Sequence, residues 1–307
     1  MTKYYPEGHL LETAENKLKI RSPLSLADAY SKGEIIEARA ALCDAEHNLI
    51  VNLNGIKGII PRCEGAIGIE DGSTRDIAII SRVGKPVCFV ITGMTKDEQG
   101  NPVAMLSRRI AQKRCIDEYI SKLRCGDIID AVVTHLEQFG AFCDIGCGIS
   151  SLLPIDSISV SRISHPKDRF KPGDKIKAVI KNVDGDKITL SQKELLGTWE
   201  QNASLFSVGE TVSGIVRSVE NYGIFVELTP NLAGLAEPKE GVHAGDTASV
   251  YIKSILPEKM KIKLIVIDSF SGECPNNAVH YYADSDHIDD WNYSPACSSK
   301  HIASCFC

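Results

Sequence analysis

The sequence predicts an all-β protein built from three tandem five-stranded barrels that are joined by short helices. Two observations predict this fold: a pattern that recurs three times along the 307 residues, and short segments of alternating apolar residues inside each copy. Copies of one pattern in the same order indicate modules that fold alike. Five short strands per copy favour a Greek-key barrel of the OB type over a sandwich, which needs seven or more.

The second and third copies of the pattern match most clearly. In each, a glycine opens an alternating apolar segment that leads to an aromatic–Gly–x–Phe motif. The motif runs from Phe139 to Phe142 in the second copy and from Tyr222 to Phe225 in the third, at the same interval from the opening glycine. The third copy has a shorter middle loop and a longer last hairpin, so the differences between the copies are confined to loops.

The first copy departs from the others at the motif. Direct alignment puts Glu46 and Leu49 at the two aromatic positions. Alternation of Leu49, Val51 and Leu53 favours a shift of one residue, which places Ile50 at the second position. Neither alignment supplies a ring. The first module therefore lacks the paired rings of the other two.

Composition and periodicity divide the chain into seven segments. They are an N-terminal extension with a short helix (1–31), a degenerate barrel (32–108), a linker helix (109–124), a barrel with the intact motif (125–193), a second linker helix (194–206), a third barrel (207–268) and an acidic tail (269–307). Ser25 is the predicted N-cap of the first helix, with Asp28 three residues on. The tail has too many aromatic residues, from Tyr281 to Tyr293, for a plain disordered extension, and it is expected to fold back on the third barrel.

The two rings of each motif are candidates for a binding surface. Alternation places Phe142 and Asp144 on the outside of the second barrel, as it does Phe225 and Glu227 in the third. The glycine after Phe139 predicts a bulge or bend that turns both rings to the same surface. Two exposed rings on one barrel face form a stacking platform for unpaired bases. The alternative is that these rings cover the barrel rim or dock against a linker helix.

The segment from Gly126 to Lys193 resembles the S1 RNA-binding domain family. The Phe-Gly-x-Phe motif is intact. The stretch from His165 to Asp174 and the later stretch from Lys187 to Ser191 follow it in the family order. The resemblance extends from about Lys32 to Asp268, and three such modules resemble a short relative of the bacterial ribosomal protein S1 family. It implies OB-type barrels that bind single-stranded RNA, with mRNA at or near the ribosome as the expected ligand.

The resemblance also implies which residues contact RNA. In the family, two aromatics act with a His after the third strand and with an Asp and an Arg around the last hairpin. The matching residues are Phe139, Phe142, Asp184 and Lys187 in the second module, and Tyr222, Phe225 and Lys261 in the third. Pro154 and Glu237 replace the family's His. Basic residues concentrate around the second module, which adds Arg162, His165 and Lys177 as candidates; a solvated strand face is the alternative for a single lysine.

The formal net charge of −6 opposes binding of a polyanion. Much of this charge lies in the tail after Asp268, whereas basic residues concentrate between Lys167 and Lys193. Two other functions therefore stay open. The alternatives to single-stranded RNA binding in translation are an RNA-binding subunit of an RNA decay or modification complex and a protein-interaction scaffold that no longer binds RNA. For the first module, the family resemblance implies docking on a protein, the ribosome or another partner; the alternative is that it serves only as a spacer.

Several classes of protein are excluded by what the sequence lacks. No apolar run approaches the ~18 residues that cross a bilayer, and the N-terminus has no apolar export segment, so a cytoplasmic protein without membrane contact is expected. Neither a glycine-rich phosphate loop nor a Gly-x-Ser-x-Gly motif is present, and we expect neither a cofactor nor catalysis. Of the 11 cysteines, Cys43, Cys88 and Cys143 fit core positions. The spacing of the tail residues Cys274, His280, His287, Cys297, His301, Cys305 and Cys307 matches no zinc module, and no metal is expected.

Overall fold

Three closed five-stranded barrels follow one another along the chain, which confirms the predicted fold class. The structure is a computed structural model that describes residues 4–185, 187–272, 279–283 and 285–306. Each barrel has the same order, in which the first, second and third strands are followed by the fifth and then the fourth. The third and fifth strands pair in parallel in every barrel.

The strands are numbered along the chain. The first barrel contains β1 (Ile36–Cys43), β2 (Leu49–Leu53), β3 (Ile56–Ile60), β4 (Pro86–Lys96) and β5 (Pro102–Ser107). The second contains β6 (Ile128–Glu137), β7 (Gly140–Asp144), β8 (Ser150–Pro154), β9 (Lys175–Asp184) and β10 (Lys187–Ser191). The third contains β11 (Thr211–Glu220), β12 (Gly223–Thr229), β13 (Leu232–Ala236), β14 (Thr247–Leu256) and β15 (Lys261–Phe270). The tail adds a two-stranded sheet of β16 (Asp290–Asn292) and β17 (Ala303–Cys305).

The helices are short: two precede the first barrel, one lies between its third and fourth strands, and two lie between successive barrels. They are α1 (Ala14–Lys19), α2 (Pro23–Lys32), α3 (Ile77–Ile80), α4 (Arg108–Glu118) and α5 (Trp199–Ala203). Single 3₁₀ turns are Arg62–Glu64, Ile120–Lys122, Ile155–Ser157, Pro166–Asp168, Lys193–Leu196 and Pro257–Lys259. No helix among the described residues is both long and apolar enough to cross a bilayer.

Two predicted helix details are wrong. Helix α2 is capped by Ser22, and the predicted cap Ser25 instead completes a capping box from inside the helix. Pro23 explains this, because proline suits the first helical position and moves the start of the helix towards the N-terminus. The second linker helix is two short pieces, since Gly197 between them adopts a φ of +83°.

The chain divides into two compact units. The first comprises Met1–Leu123 with Asp130–Val132 and Asp144–Ser150, and the second comprises the remaining residues. In the first unit, Leu49, Val51 and Leu53 are fully buried, as the strand alternation predicts. The predicted core cysteines Cys88 and Cys143 are also buried, while Cys43 is half-buried against the first barrel's core.

In the second unit, the tail folds back on the third barrel as predicted. Trp291 and Tyr293 are buried and belong to the same apolar cluster as the barrel core. The Tyr293 hydroxyl donates to the carbonyl oxygen of Asn231. The Tyr281 hydroxyl accepts a hydrogen bond from the Lys177 backbone N–H at 3.1 Å. The described part of the tail around Tyr281, Trp291 and Tyr293 is therefore packed structure.

A buried ionic cluster holds the N-terminal segment of the first unit in place. The Glu7 carboxylate accepts hydrogen bonds from Arg108 Nε at 2.6 Å and from Arg82 at 3.0 Å. Burial opposes ionisation of Glu7, but these guanidinium groups outweigh it and hold its pKa below the ordinary value. The Asp144 carboxylate accepts N–H bonds from Glu7 and Gly146, each at 2.8 Å. Asp144, predicted to be an outward surface residue, is thus covered and only 3% exposed.

Glu37 on β1 is a third buried carboxylate of this unit. Its Oε2 accepts backbone N–H bonds from Gly8 at 3.0 Å and from Leu10 and Leu11 at 2.9 Å. Burial first, and then the nearby Glu7 carboxylate, raises the pKa of Glu37 to about 7. The folded chain therefore keeps a proton on Glu37 in a pH range where the unfolded chain has lost it.

We expect Glu37→Gln to flatten the pH dependence of the first unit's stability. In the wild type, the contribution of this residue falls as pH rises from the ordinary pKa of 4.5 to the raised value of about 7. Glutamine keeps an acceptor oxygen for the three N–H groups but never ionises, so above the raised pKa the variant should be more stable by on the order of 1–3 kcal/mol. Thermal unfolding across a pH series measures this effect, with the exposed Glu46→Gln as the control. Parallel profiles for wild type and Glu37→Gln would contradict the assignment.

Candidate nucleic-acid interface

A break in strand alternation recurs near the end of each barrel's first strand. The register shifts at Ala41 in β1 and at Arg217 in β11, so that one residue is left without a partner. In the second barrel Val133 is buried whereas His135, two residues later, is 65% exposed, so we infer the same break at Thr134 between them. The Thr134 hydroxyl donates to the Phe142 carbonyl oxygen at 3.0 Å. Such a β-bulge reverses the inward–outward alternation, and the residue after it points out of the barrel.

From the bulge, one row of outward side chains crosses the strands of each barrel. We call it the cross-strand row. In the third barrel its members face one another in register, in the order Ser218, Phe225, Leu235, Lys263 and Ser254. Because side chains opposite one another on adjacent strands lie within contact distance, the row is a continuous surface.

The second barrel has the same row with different residues. Thr189 faces Leu152 on one side and Asn182 on the other. Strand β7 lies beside β8, and the Ile155 N–H donates to the Phe139 carbonyl oxygen at 3.0 Å. Counting along both strands from that bond puts Phe142 opposite Leu152. The row therefore reads His135, Phe142, Leu152, Thr189 and Asn182.

The two rings of each motif lie together on one surface, as predicted. The centroids of Phe139 and Phe142 are 6.0 Å apart with an interplanar angle of 90°, and those of Tyr222 and Phe225 are 6.2 Å apart at 87°. Phe139 is 55% exposed and Tyr222 is 68% exposed, so neither is a core residue. Gly140 permits this geometry, because a Cβ there would lie 2.5 Å from the backbone of β8.

In the first barrel the cross-strand row is aliphatic. Its members are Leu42, Ile50, Ile59 and Met105, and it ends at Gly93. Ile50 occupies the position of Phe142 and Phe225, which confirms the predicted one-residue shift. The first barrel accordingly has no ring on this surface, and Leu42 is 48% exposed.

The ring-bearing second barrel is also the part of the chain that matches a known family. Residues 122–193 match the family model of the S1 RNA binding domain. This match agrees with the resemblance of the segment from Gly126 to Lys193. It covers β6 to β10 and therefore both rings and the whole cross-strand row of the second barrel.

Full-length relatives are bacterial ribosomal proteins. The small ribosomal subunit protein bS1 of Leuconostoc lactis is 28% identical over 254 residues, which are 77% of this chain and 57% of that protein. The small ribosomal subunit protein bS1 homolog of Bacillus subtilis is 29% identical over 229 residues, 72% of this chain and 56% of that protein. This chain thus spans little more than half the length of these relatives. A crystal structure of a multidomain protein with nucleic acid binding domains from Streptococcus pneumoniae covers 80% of this chain and 76% of that chain, at 14% identity and a TM-score of 0.26.

The carboxylates two residues after the second ring, Asp144 in the second barrel and Glu227 in the third, are both buried. Glu227, predicted to be an outward surface residue, is only 4% exposed. Arg169 binds it at 2.6 Å and Arg217 at 2.8 Å. Glu227 does point away from the barrel core, as alternation requires, but the loop that contains Arg169 covers it. Like Asp144, Glu227 is therefore shielded from solvent. Glu137, whose Oε1 lies 2.7 Å from His135 Nε2, is a half-exposed carboxylate near the rings of the second barrel.

Lys177 and Lys187, the predicted basic residues on the strands of the second barrel, lie far apart along β9 and β10. Lys187 pairs with Asp184 at the hairpin, two residues before Thr189 of the row. Lys177 is also exposed, but it lies towards the other end of β9. At about 3.3 Å per residue, the strand puts it roughly 23 Å from Asp184. The structure therefore does not bring Lys177 and Lys187 together, and they could contact only different phosphates of one strand.

Arg162 and His165 belong to the loop between β8 and β9. The His165 Nδ1 accepts a hydrogen bond from the Lys167 N–H at 3.1 Å and caps a 3₁₀ turn. The neighbouring Ser161 N–H donates to the Pro230 carbonyl oxygen at 3.2 Å, which ties this loop to the third barrel. Arg162 is exposed. The geometry shows a loop-forming role for His165, and RNA contact by either residue stays a prediction.

Two residues of the rows were missed by sequence reasoning. Simple alternation from the buried Val133 would place His135 in the interior of the second barrel. The inferred bulge at Thr134 instead leaves His135 65% exposed. Lys263 faces Leu235 in the third barrel, two residues after the predicted Lys261. The signal that could have found both is the register across the strands, which no single strand's sequence contains.

The tail supplies no metal centre among the residues that the structure describes. No group of three or more His, Cys, Asp or Glu side chains in those ranges could hold an ion. His287 instead pairs with Asp127 at 2.6 Å, which raises its pKa through this hydrogen bond. Cys274 and Cys307 lie outside the described residues.

Proposed function

We propose that this chain binds single-stranded RNA in translation, with mRNA at or near the ribosome as its ligand, in the cytoplasm. The observation that carries the proposal is the pair of exposed rings, Phe139 and Phe142, in the segment that matches the S1 RNA binding domain. The names of the relatives, which are ribosomal proteins, support translation as the context. We propose binding as the whole of its activity, with no catalytic step and no cofactor.

The proposed mechanism is stacking on the second barrel combined with contacts to phosphates. Bases stack on aromatic faces with little dependence on sequence, because every base has a π-face. Lys187 lies beside the row at the hairpin. Lys181 lies on β9, where its Nζ donates to Ser157 Oγ at 2.8 Å. The third barrel assists with Tyr222 and Phe225, whose row contains Lys263.

Burial of the neighbouring carboxylates answers much of the electrostatic objection. A free Asp144 or Glu227 beside the rings would repel phosphate strongly at short range. Glu227 is neutralised by two guanidinium groups. Burial raises the pKa of Asp144, which lowers its charge. Glu137 remains half-exposed near the rings, where its Oε1 lies 2.7 Å from His135 Nε2. The negative charge that lies farther away is screened by salt.

For the first barrel we propose contact with a protein, either the ribosome or another partner. Aliphatic side chains such as Ile50 and Ile59 offer apolar area but no π-face for a base. This row is also the observation that favours a second candidate function, a protein-interaction scaffold that has abandoned RNA. Sedimentation with ribosomes, with and without nuclease, separates attachment through RNA from attachment through protein.

Phe142→Ala and Phe139→Ala should each weaken binding of a fluorescent single-stranded oligonucleotide by about 1–3 kcal/mol, the usual worth of a base–aromatic stack. Anisotropy titration measures the affinity. Ile50→Ala is the matched control, because Ile50 occupies the equivalent row position of the first barrel. It should leave the affinity unchanged. Thermal melting should show all three variants folded. Unchanged affinity in both Phe variants would overturn the proposal and favour the scaffold.

The affinity should also fall with salt. Contact with three or four phosphates predicts a slope of about −2 to −3 for log affinity against log salt, at roughly −0.7 per phosphate on a single strand. Lys187→Ala and Lys177→Ala should each flatten the slope by about 0.7 and weaken all sequences alike. The control Lys32→Ala should leave the slope unchanged, because Lys32 lies on α2 and is paired with Asp28. A flat wild-type salt dependence would contradict the electrostatic part of the mechanism.

A further inference from the structure

We propose that His135 is a third base-contacting ring of the second barrel, an inference that rests on the proposed function. Its ring centroid is 6.4 Å from that of Phe142, and the two planes differ by only 26°. Phe142 in turn lies 6.0 Å from Phe139. Phe142 therefore lies beside both other rings, so three rings and not two lie together on this surface.

The position of His135 is built into the fold. The bulge at Thr134 turns the side chain out of the barrel, where it is 65% exposed. Its Nε2 lies 2.7 Å from Oε1 of Glu137. A carboxylate only accepts, so Nε2 is the donor and this bond restrains the ring. A ring that is restrained before binding loses less conformational entropy when a base stacks on it.

The equivalent positions of the other barrels lack a ring. Ser218 faces Phe225 in the third barrel, and Leu42 faces Ile50 in the first. The second barrel is therefore the one barrel whose described row starts with two rings in succession. Three ring faces can contact one more nucleotide than two, so His135 would make the second barrel the stronger RNA site of the chain.

The contribution of His135 can be measured in the full chain with short oligouridylates as probes. His135→Ala should weaken binding about fivefold or more, at the lower end of the worth of a base–aromatic stack. His135→Phe restores a ring without the imidazole nitrogens and should bind within about twofold of wild type. Leu42→Ala, at the matched position of the first barrel, should have no effect, because Leu42 is exposed and its row contains no ring. Thermal melting should show no change, because His135 is exposed.

The outcomes separate this inference from the proposed function. Loss of affinity in His135→Ala together with recovery in His135→Phe supports the third ring. Unchanged affinity in His135→Ala, in a protein where Phe142→Ala does lose affinity, overturns the third ring and leaves RNA binding intact. Equal loss in His135→Ala and His135→Phe overturns a stacking role. No loss in either His135→Ala or Phe142→Ala overturns both the inference and the proposed function.

Discussion

Closure of a five-stranded barrel around a small apolar interior is the constraint on which the rest of this structure depends. The interior accepts one set of side chains from each strand, and closure fixes how every strand pairs with its neighbours. With a bulge at the same place in each first strand, the outward row that crosses the barrel is fixed as well. The three barrels keep this row and change its chemistry, from Ile50 in the first to Phe142 and Phe225 in the others.

The ring-bearing strands are held from outside by buried charged groups. Two residues after the second ring comes a carboxylate, Asp144 or Glu227, and each is covered by a segment that lies outside the strand. Removing one partner from such a contact is costly, because it leaves a buried charge without compensation. The burial that lowers the charge of Asp144 and the ion pairs that neutralise Glu227 therefore also hold the strands from which the rings project. Burial of these two carboxylates therefore both stabilises the barrels and reduces the negative potential beside the rings.

Much of this could be predicted from sequence. The repeat and its alternation were sufficient for the three barrels, for the paired rings and for Ile50 in the first barrel. Burial of Asp144 could not be predicted, because the groups that cover it come from the distant N-terminal segment. His135 was missed because a bulge reverses the local alternation, and register across strands depends on tertiary pairing. The cap at Ser22 was missed because Ser25 also fits a capping pattern.

The central claim is that RNA lies on the cross-strand row of the second barrel. Ultraviolet crosslinking of the full chain to a single-stranded oligonucleotide, followed by mass spectrometry of the crosslinked peptides, tests this most directly. The account predicts that crosslinks concentrate on the peptides that contain Phe139 and Phe142, with fewer at Tyr222 and Phe225 and none on the row of the first barrel. Crosslinks concentrated around Ile50, or scattered without preference for either motif, would contradict it.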